Sequence, residues 1–104
     1  MTIKNKRLEL HEKLKSLPGI KKVYYQPPEN LQMEYPAIVY SINDIYSRHA
    51  DDIKYNNKIE YSITIIDKLP DNSAIDELLT WPLSSYNRHF VSDNFNHDVI
   101  TLYY

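Results

Sequence analysis

Between Lys58 and Asp67 apolar and polar side chains alternate along the chain. Ile59, Tyr61, Ile63 and Ile65 fall on one side of an extended backbone. Glu60, Ser62 and Thr64 fall on the other, and Ile66 joins them at the end. A period of two, carried by β-branched and aromatic residues, predicts a strand with one buried face. A helix, with its period of about 3.6, would scatter the same isoleucines around its circumference. This is the longest clean strand signal in the chain, so it predicts an interior strand with the other elements as cover and edges.

The segment from Ile3 to about Leu17 has helical spacing instead. Ile3, Leu10, Leu14 and Leu17 form one stripe, Lys4, Glu9, Glu12 and Lys15 point away, and Leu8 lies off the stripe. Pro18 stops this helix and Gly19 suits the reversal after it. A short strand follows over Ile20–Tyr25, then a proline-containing loop over Gln26–Tyr35, with Tyr35 held extended by Pro36. Ala37–Tyr46 reads as a second long strand, with Ile38, Tyr40 and Ile42 on one face and Ala37, Val39 and Ile45 on the other.

Beyond the central strand, Pro70-Asp-Asn marks a turn. Ser73, three residues before Asp76, predicts a capping-box-like helix start. Ile75, Leu78 and Leu79 make the apolar stripe of this short helix, and Pro82 ends it near Trp81. Tyr86–Val91 and His97–Tyr104 read as two further strands around a turn at Ser92–Asn96. The predicted fold is a single α+β domain over residues 1–104, in the order α-β-β-β-α-β-β, with two helices covering a largely antiparallel sheet.

Composition narrows the function. The 104 residues include no cysteine, which excludes disulfides, iron–sulfur clusters, thiolate zinc sites and cysteine nucleophiles and fits a reducing compartment. The single glycine excludes a glycine-rich phosphate loop. No apolar run approaches the roughly 18 residues that span a bilayer, and the N-terminus turns amphipathic, so neither a membrane span nor a secretion signal is expected. Ten tyrosines suit protein interfaces, and equally the half-exposed faces of a small sheet.

Charge is unevenly placed. Residues 1–25 carry seven Lys or Arg against Glu9 and Glu12, a balance of +5, whereas residues 26–104 carry five basic against twelve acidic groups, −7. Unlike ends suit head-to-tail docking between copies, although a lysine-rich surface helix gives the same count. The net charge of −2 does not suit a nucleic-acid-binding domain. The polar stretch Ser47–Asn57 is longer than a hairpin needs, and such loops on a rigid sheet are where partner contacts concentrate. Arg48, Asp51, Asp52, Lys54 and Tyr55 are its candidate interface residues.

Catalysis and metal binding are not expected. Asp93, His97 and Asp98, with Arg88 and His89 nearby, form the tightest group of candidate ligands, but neighbours on a strand such as His97 and Asp98 point to opposite sides. Arg48-His49-Ala50-Asp51-Asp52 lacks the ligand count of a calcium loop. Ser47 or Ser62 with a distant histidine is a chance combination. No cofactor is expected.

Four phrases carry a resemblance. Tyr24-Tyr-Gln-Pro-Pro-Glu-Asn30, Tyr35-Pro-Ala-Ile-Val-Tyr40, Tyr61-Ser-Ile-Thr-Ile-Ile-Asp67 and Ser92-Asp-Asn-Phe-Asn-His-Asp-Val-Ile-Thr-Leu-Tyr-Tyr104 follow in that order. From about Arg7 to Tyr104 the chain resembles the tail-terminator proteins of long-tailed bacteriophages of Gram-positive bacteria. These are also called tail-completion or tail-to-head joining proteins, and sometimes minor capsid proteins. Ala50-Asp51 and Tyr55 resemble the loop pattern of that family.

The resemblance implies a structural protein of the virion, assembled in the host cytoplasm and having no active site or cofactor. Its implied partners are copies of itself in a ring of about six subunits, the tail tube protein and a head–tail connector protein. Genomic DNA would pass through the ring without sequence-specific binding, and no membrane is involved. Two other readings stay open: a head-side connector or stopper, and a small host-directed protein-binding module.

Overall fold

The computed structural model describes residues 2–45 and 58–104. Along them run α1 (Ile3–Lys15), β1 (Lys22–Tyr25), β2 (Ala37–Ile45), β3 (Ile59–Asp67), α2 (Ser73–Leu78), β4 (Ser84–Ser92) and β5 (Phe95–Tyr103). The strands form one sheet in the order β1-β2-β3-β5-β4. β1 lies parallel to β2, and the other three pairings are antiparallel. The fold is therefore the α+β arrangement that the hydrophobic pattern predicts, with β3 as the middle strand of five.

The alternation in β3 reappears as burial. Ile59, Tyr61, Ile63 and Ile65 are all buried, and their cross-strand partners continue the same face. Ile63 sits opposite Tyr40 and Ile100, and Tyr61 opposite Ile42 and Leu102. Paired residues share a side of the sheet, so these positions form one continuous surface. Both helices lie on it: Leu10, Leu14 and Leu17 from one side and Ala74 and Leu78 from the other complete the core. Each fully buried leucine or isoleucine stabilises the fold by about 1.5–3 kcal/mol.

Thr2 caps α1, its hydroxyl accepting from the Asn5 N–H at 3.1 Å, and Lys13 and Lys15 occupy the last turn, where cations favour the helix dipole. The stripe proposed from spacing is shorter than expected. Ile3 is 47 % exposed, because it lies two turns before Leu10, past the side chains that make the core. Gly19 follows at φ 74, and a Cβ there would stand 2.9 Å from both Asn72 Oδ1 and Ser73 Oγ. Glycine is required by conformation and by space alike.

The second helix starts one residue earlier than the capping-box reading places it. Asn72 is the cap, accepting from the Ala74 N–H at 2.8 Å, while its amide donates to Gly19 O at 3.0 Å and Asp67 Oδ2 at 2.7 Å. An Asn can cap the helix and tie down the glycine turn together, which a Ser at 73 cannot reach. Asp76 does sit in the first turn as expected. Ala74 and Leu78 point inward with Ile75 beside them, and Leu79 is 38 % exposed, since six residues offer one short stripe.

The other face of the sheet carries Ser41, Ser62, Thr101 and Ser85 in one row across four strands. An irregularity between Ile42 and Asp44 inserts Asn43, so that Ile45 pairs with Ile59. Ile45 thereby leaves the face of Ala37 and Val39, where simple alternation puts it. A second irregularity lies between Tyr86 and Arg88. The β4–β5 hairpin is longer than expected because Asp93 and Asn94, with φ 53 and 66, close it in two residues.

Candidate interface surfaces

The loop Ser47–Asn57 and its candidates Arg48, Asp51, Asp52, Lys54 and Tyr55 lie outside the described residues, as does the Arg48–Asp52 cation candidate. The described surface offers other groups, beginning with the basic helix.

The cations of α1 divide into two sets. Lys4 and Lys15 face solvent, Lys15 pairing with Glu12 at 3.6 Å. Arg7 and Lys13 instead lie over aromatic rings, Arg7 at 4.3 Å above Tyr25 and Lys13 at 5.5 and 5.2 Å from Trp81 and Tyr104. Lys6 donates to Tyr104 O at 3.3 Å, and the Tyr104 hydroxyl donates to Glu9. Such cation–ring contacts are worth about 0.5–1 kcal/mol each where exposed. Part of the helix's positive charge therefore lies against aromatic rings of the rest of the fold, and Lys4 and Lys15 reach solvent.

Under the helix lies a cluster of rings. His11 Nδ1 and the Tyr40 hydroxyl share a hydrogen bond of 2.7 Å, and the Tyr40 ring lies 5.0 Å from Tyr25 and 6.1 Å from Tyr61. The Tyr61 hydroxyl is buried and has no hydrogen-bond partner among the described residues. Burial, helped by Tyr40 and Tyr25, pushes it up to about 12. Burial also raises Tyr40, against the lowering influence of Arg7. Burial first, then the charges of Lys15 and Arg7, lowers His11 from its ordinary 6.5. The cluster seats α1 on the sheet through the His11–Tyr40 hydrogen bond and ring contacts.

The acidic and histidine group near the hairpin is dispersed. Asp98 is on the core side opposite Ile65, buried, and accepts from the Tyr86 hydroxyl at 2.7 Å. That bond raises the pKa of Tyr86. His97, opposite Ile66 on the other side, stacks on Phe90 at 4.6 Å. His89 pairs with Asn96, and Asp93 belongs to the turn. Among the described residues no group of three or more His, Asp or Glu side chains gathers as a metal-ligand set. Nor does any described helix have the length and apolarity to cross a membrane.

Most tyrosines serve the sheet. Tyr40 and Tyr61 are buried, Tyr24, Tyr25, Tyr35, Tyr103 and Tyr104 are half-buried, Tyr86 is exposed, and Tyr46 and Tyr55 lie outside the described residues. Two surface features went unseen in the sequence. One is a pocket of about 240 Å³ between α1, the α2–β4 connection and the C-terminal residues, walled by Trp81, Leu83, Leu102 and Tyr104 and rimmed by Lys13 and Lys58. No linear pattern announces it, because its walls and rim together come from four separate segments. The other is Leu69, 69 % exposed in the turn after β3. Its signal was present: an apolar residue beside proline in a turn bounded by Asp67 and Asp71. Compared with known protein families, curated proteins and solved structures, the chain matches none.

Proposed function

We propose that this chain is a structural protein of a bacteriophage that caps the tail tube, ends its growth and joins tail to head. The observation that carries the reading is where the four family-like phrases fall. They cover the end of β1 and the loop after it, the start of β2, nearly all of β3, and the hairpin turn with β5. These are the sheet framework and its connections, so the likeness concerns a scaffold and not a reactive site. Two surface properties support it: a basic first helix against an acidic remainder, and exposed apolar side chains apart from the core.

In this reading copies of the chain close into a ring of about six through heterologous contacts. One rim of the ring meets the tail tube protein and the other meets the head–tail connector. The Ser47–Asn57 loop, through Arg48, Asp51, Asp52, Lys54 and Tyr55, reaches a neighbour or the channel. The acidic surplus of residues 26–104 suits a lumen through which DNA slides, because it avoids strong phosphate contacts.

Electron microscopy of particles made without this protein tests the proposal. Tails of irregular length beside filled heads are the expected result. Normal tails with leaking heads would move the protein to the head side, as a connector or stopper. Complete, infectious virions would overturn the proposal and favour a host-directed binding module.

A further inference from the structure

The pocket and the exposed leucine lie at opposite ends of the same strand. Ile59, which opens β3, exchanges backbone hydrogen bonds with Tyr104 of the pocket wall, and Lys58 just before it forms the rim. Leu69 follows Asp67, which closes β3. The strand's rise sets the two features roughly 25–30 Å apart. They cannot meet within one molecule, so a contact between them joins two copies head to tail.

Shape and charge both fit such a contact. A volume of about 240 Å³ falls below the roughly 300–1,000 Å³ of pockets that hold small ligands, and it suits a single anchoring side chain. Trp81 and Tyr104 are the residue types that most often provide binding energy in such pockets. Lys13 and Lys58 give the rim two positive charges. Lys6 stands close by, its pKa lowered by burial and then by Lys58. At the other end Leu69 is flanked by two carboxylates. Asp67 fixes the turn by accepting from the Leu69 N–H at 3.2 Å, and Asp71 is exposed. Lys68, between them, lies 5.9 Å from the Phe95 ring.

We infer that the Leu69 turn of one copy seats in the Trp81–Tyr104 pocket of a second copy, with Asp67 and Asp71 set against Lys13 and Lys58. The contact is heterologous: every copy keeps one free turn and one free pocket, so association continues until a ring closes or a filament grows. It gives a physical form to the self-association on which the proposed function rests.

Sedimentation velocity over a range of concentrations tests it, using wild type, Leu69→Ser and the double variant Lys13→Glu/Lys58→Glu. Circular dichroism melting confirms that each is folded. Wild type should associate beyond a dimer. Leu69→Ser should weaken association about 10- to 100-fold, as expected for one buried leucine. The lysine variant should weaken it too. An equimolar mixture of the two variants should form a one-to-one dimer and stop there, since only one intact turn and one intact pocket can meet. If Lys13→Glu loosens α1, Lys58→Glu alone serves as the pocket variant.

Wild type that stays monomeric, or a mixture with no dimer, would overturn the contact. Wild type that associates while Leu69→Ser behaves identically also overturns it, and leaves the terminator reading standing. Conversely, normal tails from particles lacking the protein would remove that reading and leave the contact intact.

Discussion

Tyr61→Phe should make the protein more stable. The Tyr61 hydroxyl is buried at the centre of the sheet and has no hydrogen-bond partner among the described residues, so folding strips its water and none of those residues gives a bond in return. An unsatisfied buried polar group costs about 1–3 kcal/mol. Deleting it also loses some packing around the oxygen, leaving an expected gain of about 1 kcal/mol. Tyr40→Phe is the control, because it removes a hydroxyl that is paired with His11 at 2.7 Å. It should destabilise by about 0.5–1.5 kcal/mol. The two substitutions are chemically identical and lie on adjacent strands, so opposite signs would trace to the hydrogen bond alone.

Urea unfolding followed by circular dichroism measures both, provided that the slope is unchanged and only the midpoint moves. Alkaline pH supplies an independent readout. Tyr61 is pushed up to about 12 in the folded protein against an ordinary 10.0. The folded state therefore holds that proton more tightly, and the resulting stability is full below pH 10 and lost as pH rises towards 12. Tyr61→Phe should lose less over this window than wild type does. Tyr104, also raised to about 12, titrates in both proteins and leaves the difference readable. If Tyr61→Phe is less stable than wild type at neutral pH, the hydroxyl has a partner and the reasoning fails.

Three further outcomes follow from the same geometry. His11 is lowered from 6.5, so the folded state prefers it neutral; stability should be full above that pH and decline as pH falls through the folded value, and His11→Gln should flatten the decline in melts between pH 7 and pH 5. Gly19→Ala places a Cβ 2.9 Å from Asn72 and Ser73 at φ 74, and should cost about 1–2 kcal/mol or more in urea unfolding. Asp51→Lys with Asp52→Lys should leave the melting temperature near wild type and weaken assembly in sedimentation, and unchanged assembly would remove that loop from the interface.

Much of the fold was legible because it follows from local periodicity. The alternation of Ile59, Tyr61, Ile63 and Ile65 specifies a strand and its buried face without reference to any neighbour. Leu10 and Leu14 likewise mark the inner side of α1, and Pro18 with Gly19 marks its end. These signals lie within a few residues of one another, which is the range over which backbone geometry acts.

What pairing decides was not legible. Strand order, and with it the placing of β5 between β3 and β4, depends on contacts between residues far apart in the chain. The extra residue at Asn43 turns Ile45 to the other face, and only the register against β3 reveals it. Asn72 displaces Ser73 as the cap because Gly19, fifty-three residues away, brings a carbonyl to its amide. The wall of Trp81, Leu83, Leu102 and Tyr104 likewise exists only once distant segments have met. Local geometry chose the elements and their inner faces, whereas surfaces built from several segments arose from packing, because no one segment contains them.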